Sequence, residues 1–165
     1  ILQGDPEDLV RVAGLARDHR IHVRFIEVMP IGFGSRMPYE SEDSLKRCLT
    51  EHFGSLQASP EHPGNGPAVY YDLPGFQGKI GFISAVSHKF CASCNRVRLT
   101  SDGFLKTCLQ YDTGVDLKQP LRAGASDREL RDLIRGAVAD KPVSHHFQEK
   151  SGSEDEYRSM SQIGG

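Results

Sequence analysis

Three of the four cysteines in this chain fall in one short run, Cys91-x2-Cys94 followed after thirteen residues by Cys108. A tight turn can aim both sulfurs of a Cys-x2-Cys pair at one inorganic centre. The chain beyond Cys94 must then double back to deliver the third. Asp102-Gly103 sits between two runs of strand character, Arg96 to Ser101 and Phe104 to Leu109, and is a strong signal for a two-residue hairpin turn. Such a turn pairs Ser101 with Phe104 and sets Cys108 opposite Val97, three residues from Cys94. At ~3.3 Å per residue that gap is about 10 Å, which a Cys-x2-Cys turn and a small cluster can span. In this register Cys108 shares a face with Val97, while Arg96 and Arg98 point the other way unless the strand bulges near Asn95.

Three thiolates without an obvious fourth ligand suit an iron–sulfur cluster that keeps one iron free of protein better than closed structural zinc, which takes four. Spacing alone leaves zinc open, because His88-x2-Cys91-x2-Cys94 offers a Cys3His set. Arg96 and Arg98 beside the sulfurs suggest an anionic ligand, although alternate arginines on a strand also make an ordinary solvated face. Cys48 lies on an apolar helical stripe and reads as a small buried hydrophobe. His145 and His146 are adjacent, so they point apart and read as surface residues or as supports behind a ligand. A net charge of −2 creates no basic field for nucleic acid. No apolar run approaches the roughly 18 residues of a membrane span. Without an export signal, Cys-x2-Cys points to metal or redox chemistry in a reducing, cytoplasmic setting. The start at Ile1-Leu2-Gln3-Gly4 reads as the interior of a longer protein.

The elements expected along the chain follow from caps and periodicity. Asp5-Pro6 opens a helix over 6–19 with Leu9, Val12, Ala13 and Ala16 on one face. Ile21 to Met29 is expected as a largely buried strand of a parallel layer, ended by Pro30 and Gly32. Ser41 caps a second helix carrying Leu45, Cys48, Leu49 and Phe53, closed by Gly54. Short strands follow at 68–72 and 79–85. Ser126 with Glu129 forms a capping box for a third helix, whose stripe of Leu130, Leu133, Ile134, Ala137 and Val138 is expected to be buried. The fold class is α/β passing into α+β, with the division near Gly54 to Gly66 and a flexible tail over 151–165.

The segments Gly78-Lys79-Ile80-Gly81-Phe82-Ile83-Ser84, His88-Lys89-Phe90-Cys91-x2-Cys94-Asn95-Arg96-Val97-Arg98-Leu99-Thr100-x-Asp102-Gly103 and Leu105-Lys106-x-Cys108-Leu109 closely resemble the carboxyl-terminal half of the molybdenum cofactor biosynthesis protein A family. Its members are radical S-adenosylmethionine enzymes with GTP 3',8-cyclase (lyase) activity. Arg24-Phe25-Ile26-Glu27-Val28-Met29-Pro30 is similar to a late barrel strand of that family, and Met160 to Gly165 to its tail.

The resemblance implies that residues 1–54 end a partial TIM-type (β/α) barrel and that 55–150 form a mainly antiparallel domain for a [4Fe–4S] cluster and GTP. It implies Cys91, Cys94 and Cys108 as cluster ligands and Arg96, Val97 and Arg98 at the GTP site. Met29 would contact S-adenosylmethionine, and Gly164 and Gly165 would enter the active-site cavity. Implied partners are GTP, the missing amino-terminal half of the barrel, a second copy in a homodimer, and a downstream cyclic pyranopterin synthase. The family's Cys-x3-Cys-x2-Cys motif is absent from these 165 residues, so the chain alone is expected to be inactive. The rival expectation is a non-catalytic, zinc-stabilised module with a Gly-Gly tail.

Overall fold

The computed structural model describes residues 4–147 and 155–163, which form two compact units: residues up to 29 with 36–90, and 30–35 with 91 onward. In the first unit, α1 (Pro6–Asp18) starts where expected, because the Asp5 carboxylate accepts the Glu7 amide at 2.9 Å and Pro6 takes the first helical position. The chain then enters β1 (Val23–Ile26) and α2 (Glu42–Phe53), which is capped by the Ser41 hydroxyl on the Ser44 amide and ends at Gly54 with φ +95°. Next come β2 (Gln57–Ala58), β3 (Val69–Asp72) and β4 (Ile80–Ile83). The sheet runs in the order β1-β4-β3-β2, with β1 parallel to β4 and the other pairs antiparallel.

The two helices and this sheet enclose an apolar core that includes Ala13, Ala16, Leu45, Leu49, Ile80 and Phe82. Phe25 stacks on Phe82 with ring centroids 6.0 Å apart. Gly78 is required where two segments touch: a Cβ there would lie 1.7 Å from the Ile21 carbonyl oxygen, and its amide donates to Ala16 at 2.8 Å.

Two expectations change here. β1 is shorter than the 21–29 run and alternates rather than being buried throughout: Val23 and Phe25 face the core, while Arg24 and Ile26 are exposed. Val23 and Phe25 pack into the apolar core on one face of the sheet, and the other face is left open, which gives the alternation. The sequence boundary near 54–66 falls inside this unit, because β4 returns to pair with β1. Among the described residues the sheet is open and no barrel closes.

The second unit holds an antiparallel sheet of β5 (Arg98–Leu99), β6 (Phe104–Lys106) and β7 (Gly114–Asp116), then α3 (Lys118–Arg122) and α4 (Asp127–Ala139). Ser126 and Glu129 form the expected capping box reciprocally. The α4 stripe is not buried as expected. Leu130, Leu133 and Ala137 are half-buried, and Ile134 and Val138 are 39% and 45% exposed. An open groove of about 900 Å³ runs between α4 and β7, with Leu133, Gly136 and Ala137 on one wall and Thr113 and Val115 on the other.

Residues 155–163, a stretch with little to bury, are held mainly by charge. The Glu156 carboxylate pairs with Lys106 and with Arg158, and Arg158 Nη2 donates to Asp112 at 2.7 Å. Lys106 is 1% exposed and also donates to the Tyr111 carbonyl at 2.7 Å. Burial alone would raise the Glu156 carboxyl, but hydrogen bonds from Arg158 and Lys106 outweigh it and hold it at about 2. Ile163 then ends the stretch in full burial.

Candidate metal centre

The turn that carries the first two sulfurs is a single 3-10 turn, Cys91–Ser93, closed by the Cys94 amide on the Cys91 carbonyl at 3.1 Å. This compact turn is what Cys-x2-Cys needs to present both side chains from one end. All four cysteines are free thiols, and all are half-buried. Cys48 sits in α2 of the first unit, whereas the other three belong to the second.

The hairpin that returns Cys108 differs from the expected one by a single residue. Thr100, not Ser101, pairs with Phe104, through the Thr100 amide on the Phe104 carbonyl at 2.9 Å. The ladder continues as Leu99 with Leu105 and Arg98 with Lys106. The loop is therefore Ser101-Asp102-Gly103, with Gly103 at φ +87°, the three-residue form that puts glycine in the left-handed position. The Thr100 hydroxyl explains the choice. It accepts the Phe104 amide at 3.0 Å and bonds the Asp102 carboxylate, so it occupies the centre of the loop. That contact also holds the Asp102 carboxyl below its usual range.

One residue of register turns every side chain to the opposite face. Continued past the ladder, the observed pairing sets Cys108 level with Arg96 rather than Val97. The ladder itself ends at Arg98 with Lys106, before Arg96 and Cys108 are reached. Arg98 lies within the fields of both Cys94 and Cys108. Burial lowers the Arg98 guanidinium from its ordinary value, the two cysteines oppose that shift, and Arg96 adds to it. Arg98 is half-buried and forms no ion pair with a carboxylate among the described residues. A guanidinium does not lose its proton in a protein, so half-burial without a carboxylate favours an anionic ligand. Arg96 and Val97 are exposed beside it.

The three thiols fit an iron–sulfur cluster by donor chemistry. They are soft ligands, unbridged, on one unit, and flanked by cations that would offset thiolate charge. Among the described residues no three His, Cys, Asp or Glu side chains converge tightly enough to hold a single metal ion. His88 belongs to the first unit, with its Nδ1 3.1 Å from the Ser87 hydroxyl and 3.5 Å from the Glu42 carboxylate.

Two residues near the expected motifs were not anticipated as functional. Lys141, just past the end of α4, reaches the cysteine turn: its ammonium lies 3.4 Å from Cys94 Sγ, 2.9 Å from the Cys94 carbonyl and 2.8 Å from the Arg96 carbonyl. In the first unit, the buried Glu27 carboxylate accepts the Val86 and Ser87 amides at 2.7 and 2.9 Å and so fixes the turn after β4. An acidic residue ending an apolar strand was the available signal.

The remaining expected residues are distributed as follows. Met29 is half-buried, three residues beyond the carboxyl end of β1. Gly164 and Gly165 lie outside the described residues. His145 is buried against Phe147, with ring centroids 4.3 Å apart, rather than on the surface. His146 pairs with Asp155 at 3.0 Å and with the Tyr111 hydroxyl at 2.7 Å. No helix among the described residues is long and apolar enough to cross a membrane.

Comparison with known proteins gives a consistent outcome. A family described as Molybdenum Cofactor Synthesis C matches residues 21–147. The GTP 3',8-cyclase of Desulforamulus reducens is 46% identical over 156 residues, covering 93% of this chain and 47% of that protein. The GTP 3',8-cyclase of Clostridium perfringens strain 13 is 40% identical over 159 residues, covering 96% of this chain and 49% of its own length. That of Rippkaea orientalis is 42% identical over 172 aligned positions, covering the whole chain and 50% of the relative. The chain thus spans about half the length of the curated relatives it matches.

Proposed function

Since the chain belongs to the Molybdenum Cofactor Synthesis C family, we propose that it is the substrate-holding, carboxyl-terminal part of a GTP 3',8-cyclase. The parent reaction converts GTP to (8S)-3',8-cyclo-7,8-dihydroguanosine 5'-triphosphate, the first step of molybdenum cofactor biosynthesis. Cys91, Cys94 and Cys108 are the proposed ligands of a [4Fe–4S] cluster. When bound, such a cluster supplies an iron without a cysteine ligand, a Lewis-acidic contact for the purine.

The chain's own contribution is binding and orientation. Arg98 and Arg96, which follow the cysteine turn, neutralise triphosphate charge, and the Val97 backbone between them completes that edge. Met29 is the proposed contact for S-adenosylmethionine at the mouth of a partial barrel. Gly164 and Gly165 are the proposed tail that enters the cavity. Holding ribose and base at fixed separation is an entropic contribution to ring closure.

The observation that carries this reading is the half-buried Arg98, with no carboxylate partner among the described residues and within the fields of Cys94 and Cys108. The test is GTP binding by the anaerobically reconstituted chain, with metal and sulfide analysis alongside. Iron and sulfide together with GTP binding support the reading. One zinc per chain and no GTP affinity contradict it. Arg98→Ala is expected to weaken GTP binding by roughly 1.5–3 kcal/mol, the range for a charged hydrogen bond. The 165 residues lack a Cys-x3-Cys-x2-Cys motif, so by themselves, with GTP, S-adenosylmethionine and reductant, they are expected to release no 5'-deoxyadenosine.

A further inference from the structure

Lys141 occupies an unusual place for a residue that follows a helix. Asp140 caps α4, and the next residue is held before Pro142, where helical backbone is disfavoured. The side chain therefore leaves the helix axis. Its ammonium meets three acceptors of one short segment: the Cys94 carbonyl at 2.9 Å, the Arg96 carbonyl at 2.8 Å and Cys94 Sγ at 3.4 Å. An ammonium has three donors, and all three are used on this turn.

We propose that Lys141 is a positioning residue for the metal centre, clamping the Cys94–Arg96 turn and neutralising charge on the Cys94 sulfur. The inference rests on the cluster reading given above and deepens it. Two consequences follow from the geometry. The carbonyl contacts fix the backbone between the second cysteine and Arg98, so the turn is shaped before metal arrives. The contact with sulfur places a full positive charge beside a ligand whose negative charge rises when the centre is reduced. Hydrogen bonds and charge at cluster sulfurs are established levers on reduction potential. Lys141 therefore favours the reduced state.

The experiment uses the complete chain, reconstituted anaerobically with iron and sulfide, as wild type, Lys141→Met and Lys141→Arg. Iron content is measured first, followed by a redox titration read by electron paramagnetic resonance. Lys141→Met is expected to shift the reduced-to-oxidised ratio at fixed ambient potential about tenfold toward oxidised, about 59 mV for a one-electron couple. Lys141→Arg, which keeps the charge, is expected to restore most of that ratio. A purely structural role would lower iron content in Lys141→Met without moving the potential of the centres that do form, and that result overturns the proposal. An unchanged potential with unchanged loading overturns it as well. A wild-type chain that takes up neither iron nor sulfide defeats the proposed function itself, and this inference falls with it.

Discussion

The two units are held together by different forces. Nearly all of the buried apolar side chains belong to the first, where Phe25, Phe82, Leu45, Leu49 and Ile80 fill one core. Among the described residues of the second, only Ile31, Leu105 and Ile163 are buried apolar residues, and one of its most buried long side chains is a lysine. Apolar burial is non-directional and tolerates small shifts. Buried charge does not: Lys106 is stable there only because Glu156 meets it from fifty residues away and Arg158 closes the other side of that carboxylate. The second unit is therefore specified by individual partners, and the cysteine hairpin sits on that framework.

The sharpest test of this contrast is a deletion in the apolar core. Phe82→Ala is expected to destabilise the first unit by about 3–5 kcal/mol, measured by chemical denaturation with hydrogen exchange assigning the loss to β1, β4 and α2. A loss well below about 2 kcal/mol would show that this core is not what stabilises it. In the second unit the corresponding change is electrostatic. Glu156→Gln removes the carboxylate that Lys106 and Arg158 share, leaving Asp112 to face both cations, and is expected to cost about 3 kcal/mol, whereas Lys106→Met combined with Glu156→Met costs less than the single change. If the double variant is the worse of the two, the unit does not depend on pairing as described.

Acid sharpens the same point. The Glu156 carboxyl is lowered from 4.5 to about 2, so the stability it contributes is fully present above pH 4.5 and lost as pH falls toward 2. By pH 3 the metal-free chain is expected to lose about 2 kcal/mol of protection over residues 155–163, at 1.36 kcal/mol per unit. Hydrogen exchange across that range measures it. Flat protection between pH 5 and 3 would remove Glu156 from the account. The smallest effect concerns the hairpin: Gly103→Ala forces a side chain into φ +87° and toward Lys118, and is expected to cost about 1 kcal/mol in thermal denaturation.

The same contrast decides what could be read in advance. The starts of α1, α2 and α4 were legible because Asp5, Ser41 and Ser126 act within three residues of themselves. The cysteine motif and its resemblance were legible for the same local reason. The burial of Lys106 was not, since nothing near it in sequence indicates Glu156. Nor was the parallel pairing of β1 with β4, which moved the unit boundary to residue 90. The hairpin missed by one residue because Asp102-Gly103 looks the same in a two- or three-residue loop. Only the Thr100 hydroxyl, bonding across the loop, separates the two.

The central claim is that Cys91, Cys94 and Cys108 serve one centre and Cys48 does not. Iron per chain after anaerobic reconstitution, compared between Cys108→Ser and Cys48→Ser, tests it most directly. The account predicts that Cys48→Ser keeps the wild-type iron and sulfide while Cys108→Ser loses most of both. A Cys108→Ser chain that retains the full complement would contradict it.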